Sequence, residues 1–176
     1  MDAYNIGKLA GVLTGFVVGI VLVAVIARFA NRNKKMKTEY DERQNVIRGM
    51  GYKYGFYAVV LYAALQTILA VAGIELPMAP EVLAFSYIFL GVTVTFVYCV
   101  LNDAYWGLNN NRRRYLILMG LIMLLNGAGV ARAIADGSLI VDGKLSTMGM
   151  NLLVTVMFII MMAVMGIQTL REKAED

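Results

Sequence analysis

The sequence lacks the residues that are used most often in catalytic and metal sites. It has no histidine, one cysteine and two prolines in 176 residues, and only 16% of it is charged. A single cysteine excludes a disulfide within the chain, and the absence of histidine removes the commonest general base and zinc ligand. The composition therefore weighs against an enzyme, and it predicts neither a metal site nor a bound cofactor.

Five long apolar runs fill most of the chain instead. They cover residues 6–27, 55–73, 82–101, 115–135 and 148–170. Each supplies the roughly 20 apolar residues that an α-helix needs to cross a bilayer. The runs are continuous, which favours helices over the alternating pattern of a membrane barrel. The sequence predicts an all-α fold, a single transmembrane domain of five helices.

The distribution of positive charge predicts how these helices are oriented. Of the 16 lysines and arginines, 13 lie in the first loop, the third loop and the C-terminal tail, which alternate spans place on one side. Cytoplasmic loops carry such an excess. We therefore expect a multi-pass protein of the cell membrane with its N-terminus outside and its C-terminus in the cytoplasm. The net charge of +4 reflects this topology, and no nucleic-acid partner is expected.

Small residues recur along the first and fourth spans at the spacing of one helix face. Rows of this kind let two helix backbones approach closely, and close packing drives helix association in lipid. The rows are Gly7, Gly11, Gly15 and Gly19 in the first span, and Gly127, Ala131 and Ala135 in the fourth. Two interpretations are open, namely packing inside one chain and a seam between copies in a homo-oligomer.

Polar residues inside the spans are the candidates for a binding cavity. An unpaired polar group is costly in hydrocarbon, so each of them needs a partner or a water-filled space. The candidates are Tyr62, Gln66, Tyr98, Asn102, Asn126 and Asn151. They would line one polar cavity, or else they are ordinary hydrogen bonds between helices, worth about 0.6 kcal/mol each.

The longest soluble segment, residues 31–54, connects the first two spans. Its basic first half is expected to attract anionic lipid. Its second half predicts a juxtamembrane helix, with a cap formed by Thr38 and Asp41, that lies along the membrane before it turns into the second span. The candidate docking residues at its start are Asp41, Glu42, Arg43 and Gln44. The alternative is that these four residues form only a solvated helix start.

The same segment carries a resemblance to other proteins. Residues 40–44 read Tyr-Asp-Glu-Arg-Gln, and a span rich in glycine and tyrosine follows. This cassette, about 20 residues with its flank, resembles an uncharacterised group of small bacterial multi-pass membrane proteins. The resemblance implies a bacterial cytoplasmic membrane, and it implies no particular activity.

Together these features predict a non-enzymatic membrane protein that acts through helix–helix association. It would work as a homo-oligomer or as an accessory subunit of a membrane complex, with lipid and a membrane protein as its partners. The alternative is a small-solute transporter, or its substrate-binding membrane subunit, built around the polar residues of the spans.

Overall fold

The computed structural model describes residues 3–31, 39–108 and 112–175. The chain divides into two compact units, Met1–Glu39 and Tyr40–Asp176. In its described part, the first unit is the helix α1 (Ala3–Asn31). A Cβ atom added to Gly7, Gly11, Gly15 or Gly19 would meet nothing within 4 Å in this described part, apart from the neighbouring backbone of α1 itself. The row is therefore an open strip along α1, and what packs on it stays a prediction.

The described residues of the second unit form four helices and a short hairpin. The helices are α2 (Glu42–Val71), α3 (Pro80–Leu101), α4 (Arg112–Ala135) and α5 (Gly149–Glu175), and the strands β1 (Ile140–Val141) and β2 (Lys144–Leu145) lie between α4 and α5. All four helices are long and apolar enough to cross a membrane. The described structure is thus that of a membrane helix bundle.

Helix α3 lies between two neighbours. It packs against α2 on one side and against α5 on the other, and α5 packs in turn against α4. The core contains Phe96 and Val100 of α3 together with Met161 and Met165 of α5. The methionines of α5 thus serve as packing residues, as expected for flexible side chains that fill irregular space.

Glycines lie in the contact between α2 and α3. A Cβ at Gly55 would meet the Thr95 hydroxyl and would lie 2.8 Å from the carbonyl oxygen of Gly91, and one at Gly51 would lie 2.8 Å from Cys99 Sγ. The Thr95 hydroxyl donates to the Gly51 carbonyl at 3.2 Å. The two backbones can be this close only because these glycines have no side chains.

In the fourth span, the face that packs on α5 is not the face of the predicted row Gly127, Ala131 and Ala135. Gly129 lies under the Asn151 side chain of α5, and Ala133 is 2% exposed. Gly127 is only at the edge of this contact, while Ala131 and Ala135 are exposed in this unit. Packing of Ala131 and Ala135 against a further helix stays a prediction.

Helix α2 differs from the expected juxtamembrane segment. It is one uninterrupted helix of 30 residues from Glu42 to Val71, so the predicted turn near residue 54 is absent. At 1.5 Å per residue the helix is about 45 Å long, which matches a bilayer with its headgroup layers. The predicted cap is also wrong in its partners. Asp41 caps with Gln44, and Thr38 lies outside the described residues.

A hairpin joins the loops at one end of the bundle, which we call the hairpin end. Asp142 and Gly143 have φ values of 51° and 72°, as a tight turn with two left-handed residues requires. Leu145 then exchanges backbone hydrogen bonds with Pro77 and Ala79, both at 2.8 Å. This small sheet is absent from the all-α prediction, and it fastens the α2–α3 loop to the α4–α5 loop.

An ion pair adds a second tie between these two loops. Lys144 Nζ lies 2.8 Å from a carboxylate oxygen of Glu75. The hydrogen bond and the charge of Lys144 lower the pKa of Glu75. Because both side chains are largely exposed, the pair contributes little to stability, and the backbone hydrogen bonds carry the connection.

Candidate functional sites

The segment Asp41–Gln44 forms an internal clamp at the opposite end of the bundle, which we call the cassette end. The Asp41 carboxylate accepts from the Gln44 backbone N–H at 2.6 Å, and the Asp41 N–H donates to Gln44 Oε1 at 3.3 Å. This is a capping box, in which the side chain of each residue accepts a hydrogen bond from the backbone N–H of the other. It fixes the first turn of α2.

The same glutamine also holds the α3–α4 loop. Gln44 Nε2 donates to the carbonyl oxygens of Asp103 and Trp106, at 3.1 Å each, and the side chain is 9% exposed. On the other side of this loop, Gln168 of α5 donates to the Asp103 carboxylate at 2.7 Å. Two glutamines thus connect α2 and α5 through one loop.

Two of the four predicted docking residues form the clamp. Of these two, Gln44 is buried and Asp41 is exposed, and Glu42 and Arg43 are exposed as well. A docking role for the four residues stays a prediction.

Aromatic rings fill the space beside the clamp. The Tyr105 ring lies 4.4 Å from Phe96 and 4.9 Å from Trp106, and Trp106 lies 5.6 Å from Tyr115. Burial raises the pKa of Tyr105. The rings rest on the α3–α5 core and place large amphipathic side chains together at one membrane boundary.

Several of the six polar residues of the spans are satisfied locally in the second unit. Asn102 and Asn126 donate to carbonyl oxygens one turn earlier, at 2.8 and 2.9 Å. The Tyr62 hydroxyl accepts from Ser86 at 3.1 Å, which is a contact between α2 and α3.

The remaining three have different surroundings. The centre of the Tyr98 ring lies 4.9 Å from that of the tilted Tyr54 ring, and Asn151 packs on Gly129. Gln66 Nε2 is buried and has no hydrogen-bond partner in the described part of the chain. A cavity shared by the six residues stays a prediction.

A groove of the second unit runs along α3, and it has a volume of about 680 Å³. Side chains of α2 and α5 flank it, and none of the six predicted cavity residues lines it. Its lining is mostly apolar, and several lining side chains are exposed, including Phe56 at 64%, Ile88 at 58% and Val92 at 46%. Apolar periodicity indicated membrane helices, but it gave no sign of this groove.

One positive charge lies at the mouth of the groove, towards the cassette end. The Arg48 guanidinium lies 4.0 Å from the centre of the Tyr40 ring and donates to the Tyr52 hydroxyl at 3.2 Å. Burial raises the pKa of Tyr40, and the charge of Arg48 partly opposes this. These aromatic contacts hold the guanidinium in place beside the groove.

Neither a metal centre nor a known family explains these sites. The described residues contain no group of three or more cysteine, aspartate or glutamate side chains that is able to hold a metal ion. Comparisons with protein-family models, with curated proteins and with solved structures found no match to the chain.

Sequence reasoning missed two features of the second unit. Asp142-Gly143, between Val141 and Lys144, is a strong hairpin signal. The contacts of Gln44 with a loop about 60 residues away had no local signal at all, because they depend on how α2 and α3 pair.

Proposed function

We propose that the protein is a non-enzymatic integral membrane protein of the bacterial cytoplasmic membrane that acts through helix–helix association. It crosses the membrane five times, with its N-terminus outside and its C-terminus in the cytoplasm. It works as a homo-oligomer or as an accessory subunit of a membrane complex, and its basic first loop rests on anionic lipid. The open glycine strip of α1 is the observation that carries this proposal.

The glycines of the second unit support this interpretation of the strip. Gly51, Gly55 and Gly91 each lie against a neighbouring helix, so glycine in those spans allows close approach. Glycine costs up to about 1 kcal/mol relative to alanine inside a helix, and a row of four needs a compensating contact. The described part of the first unit supplies no such contact, which supports a partner outside this helix.

A fifth span formed by α1 is consistent with its length. Its 29 residues extend over about 44 Å, which is enough to cross the hydrocarbon core and one headgroup layer or more. Arg28 in its last turn matches the basic flank that stops a span on the cytoplasmic side.

The alternative function, a small-solute transporter, has less support. It requires the six polar residues of the spans to share a space that solute can reach. Asn102 and Asn126 instead donate to their own helices, and the groove along α3 is mostly apolar and lined by other residues. These contacts favour association over solute transport.

We expect Gly15→Leu to abolish the association that the wild-type protein shows. The leucine side chain would fill the middle of the strip and keep a partner backbone at a distance. The matched control is Ala24→Leu, which adds bulk to an exposed position about 160° around the helix from the middle of the row. The mass of each protein in mild detergent, and of any protein purified with it, is the measurement.

The two forms of the proposal give different results. If the protein is a homo-oligomer, the mass of Gly15→Leu should fall to that of a monomer. If it is an accessory subunit, Gly15→Leu should no longer co-purify with its membrane protein partner. Ala24→Leu should keep the wild-type mass and partner. Monomers in all three proteins, with no partner, would contradict the proposal and assign the row to packing inside one chain.

A further inference from the structure

We infer that the groove along α3 binds one acyl chain of an anionic phospholipid, whose phosphate lies on Arg48. The inference goes beyond helix association, because it concerns a ligand of the second unit and depends on neither α1 nor oligomeric state. It rests on the length of the groove, on its lining and on the charge at its mouth.

The length of the groove matches one leaflet of a bilayer. Along α2 the lining extends from Arg48 to Val59, and along α3 it extends from Cys99 to Tyr87. These stretches cover 11 and 12 residue steps, or about 16 and 18 Å at the rise of an α-helix. Half of the hydrocarbon core is about 15 Å thick. A chain anchored at Arg48 would therefore reach the middle of the membrane where the groove ends.

The lining suits a hydrocarbon chain. Ile88 and Val92 form an exposed strip of α3, Phe56 flanks it from α2, and Met157 and Phe158 flank it from α5. Where α2 and α3 meet, Gly55 and Gly91 leave the surface without side chains. The volume of about 680 Å³ is in the usual range of small-molecule sites, about 300–1,000 Å³. Methionine and phenylalanine side chains adapt readily to a flexible apolar ligand.

The charge at the mouth selects the headgroup. Arg48 lies six residues into α2, or about 9 Å from its start, near the depth at which headgroups meet hydrocarbon. A guanidinium donates to two phosphate oxygens at once, which is the geometry that arginine provides and lysine does not. The Tyr40 ring and the Tyr52 hydroxyl orient Arg48 in advance of binding, so little side-chain freedom is lost.

The test uses full-length protein in vesicles of equal parts phosphatidylglycerol and phosphatidylcholine with the same acyl chains. After mild extraction, native mass spectrometry counts the lipids that stay on the protein. We expect the wild type to retain phosphatidylglycerol at least about tenfold over phosphatidylcholine, the factor that corresponds to about 1.4 kcal/mol. Arg48→Gln should remove this preference, and Val92→Trp, which fills the groove, should remove bound lipid of both kinds.

Matched variants keep these results specific. Lys53→Gln removes a positive charge from the same helix outside the groove, and Val60→Trp adds the same bulk to an exposed site of α2 that does not line it. Both should behave as the wild type does. Circular dichroism checks that each variant keeps its helix content.

Several outcomes would overturn the inference. One is equal retention of the two lipids by the wild type, and another is unchanged retention in Arg48→Gln or Val92→Trp. A third is a preference that is kept in Arg48→Gln but is lost when Lys34, Lys35 and Lys37 are changed to glutamine. The lipid would then bind the basic loop and not the groove. A protein helix seated on the groove in place of lipid, shown by cross-linking at Val92→Cys, would overturn it as well.

Discussion

We expect Gly55→Ala to destabilise the bundle by about 2 kcal/mol, although alanine is the better helix former. The added Cβ would lie 2.8 Å from the Gly91 carbonyl oxygen, and it would also meet the Thr95 hydroxyl. The threonine side chain is able to rotate away, but the Gly91 carbonyl belongs to the backbone of α3. Relief of the contact therefore requires α2 and α3 to separate.

The matched control is Gly49→Ala in the same helix. A Cβ at Gly49 would meet nothing within 4 Å, so this change should be neutral or should stabilise the protein by up to about 1 kcal/mol. Denaturant titration in mixed micelles, followed by circular dichroism, compares the free energies of unfolding. Equal free energies of unfolding for the two variants would show that α2 and α3 do not approach as closely as in the structure.

The second large effect is expected at the clamp, where Gln44→Ala should lower the free energy of unfolding by about 2–4 kcal/mol. The change removes the donor to the Asp103 and Trp106 carbonyl oxygens and half of the capping box. Since Gln44 is 9% exposed, water only partly replaces these hydrogen bonds. The loss should loosen the α3–α4 loop most, so its amide hydrogens should exchange faster in hydrogen-exchange measurements.

Asn45→Ala provides a matched control for the clamp. Asn45 is the adjacent side-chain amide, but it is exposed and its hydrogen bond to the Tyr40 carbonyl oxygen is 3.5 Å long. We expect its removal to change stability by less than about 0.5 kcal/mol. If Gln44→Ala has no larger effect than Asn45→Ala, the proposed connection between α2 and the loop does not contribute to stability.

The helices were predictable because a membrane imposes a simple requirement. A span must be about 20 residues long and largely apolar, and the runs that became α2 to α5 meet that requirement without reference to the rest of the chain. The start of α2 was partly predictable for a similar reason. Asp41 as a capping residue is a local signal, although its partner in the capping box is Gln44.

Features that depend on how helices meet were not predictable in the same way. The face of α4 that packs on α5 contains Gly129 and Ala133, which lie two positions away from the predicted small-residue row and on nearly the opposite side of the helix. The groove arises because α2 and α5 both pack on α3. The apolar periodicity of a single helix does not indicate which helices will pack together. The Gln44 contacts depend on the same arrangement.

The topology of the chain is the claim on which the proposed function and the depth of the groove depend. It can be measured with single-cysteine variants, after Cys99→Ser removes the one native cysteine. Suitable exposed positions are Arg43→Cys and Leu108→Cys at the cassette end, and Ile74→Cys and Ile140→Cys at the hairpin end. An epitope tag before Met1 reports on the N-terminus.

In bacterial spheroplasts treated with a membrane-impermeant thiol reagent, we expect Ile74→Cys and Ile140→Cys to react. Arg43→Cys and Leu108→Cys should react only after the membrane is permeabilised, and the N-terminal tag should be accessible to antibody from outside. Reaction of Arg43→Cys or Leu108→Cys in intact spheroplasts would contradict the proposed orientation. A tag that is accessible only after permeabilisation, together with external Ile74→Cys, would contradict the fifth span.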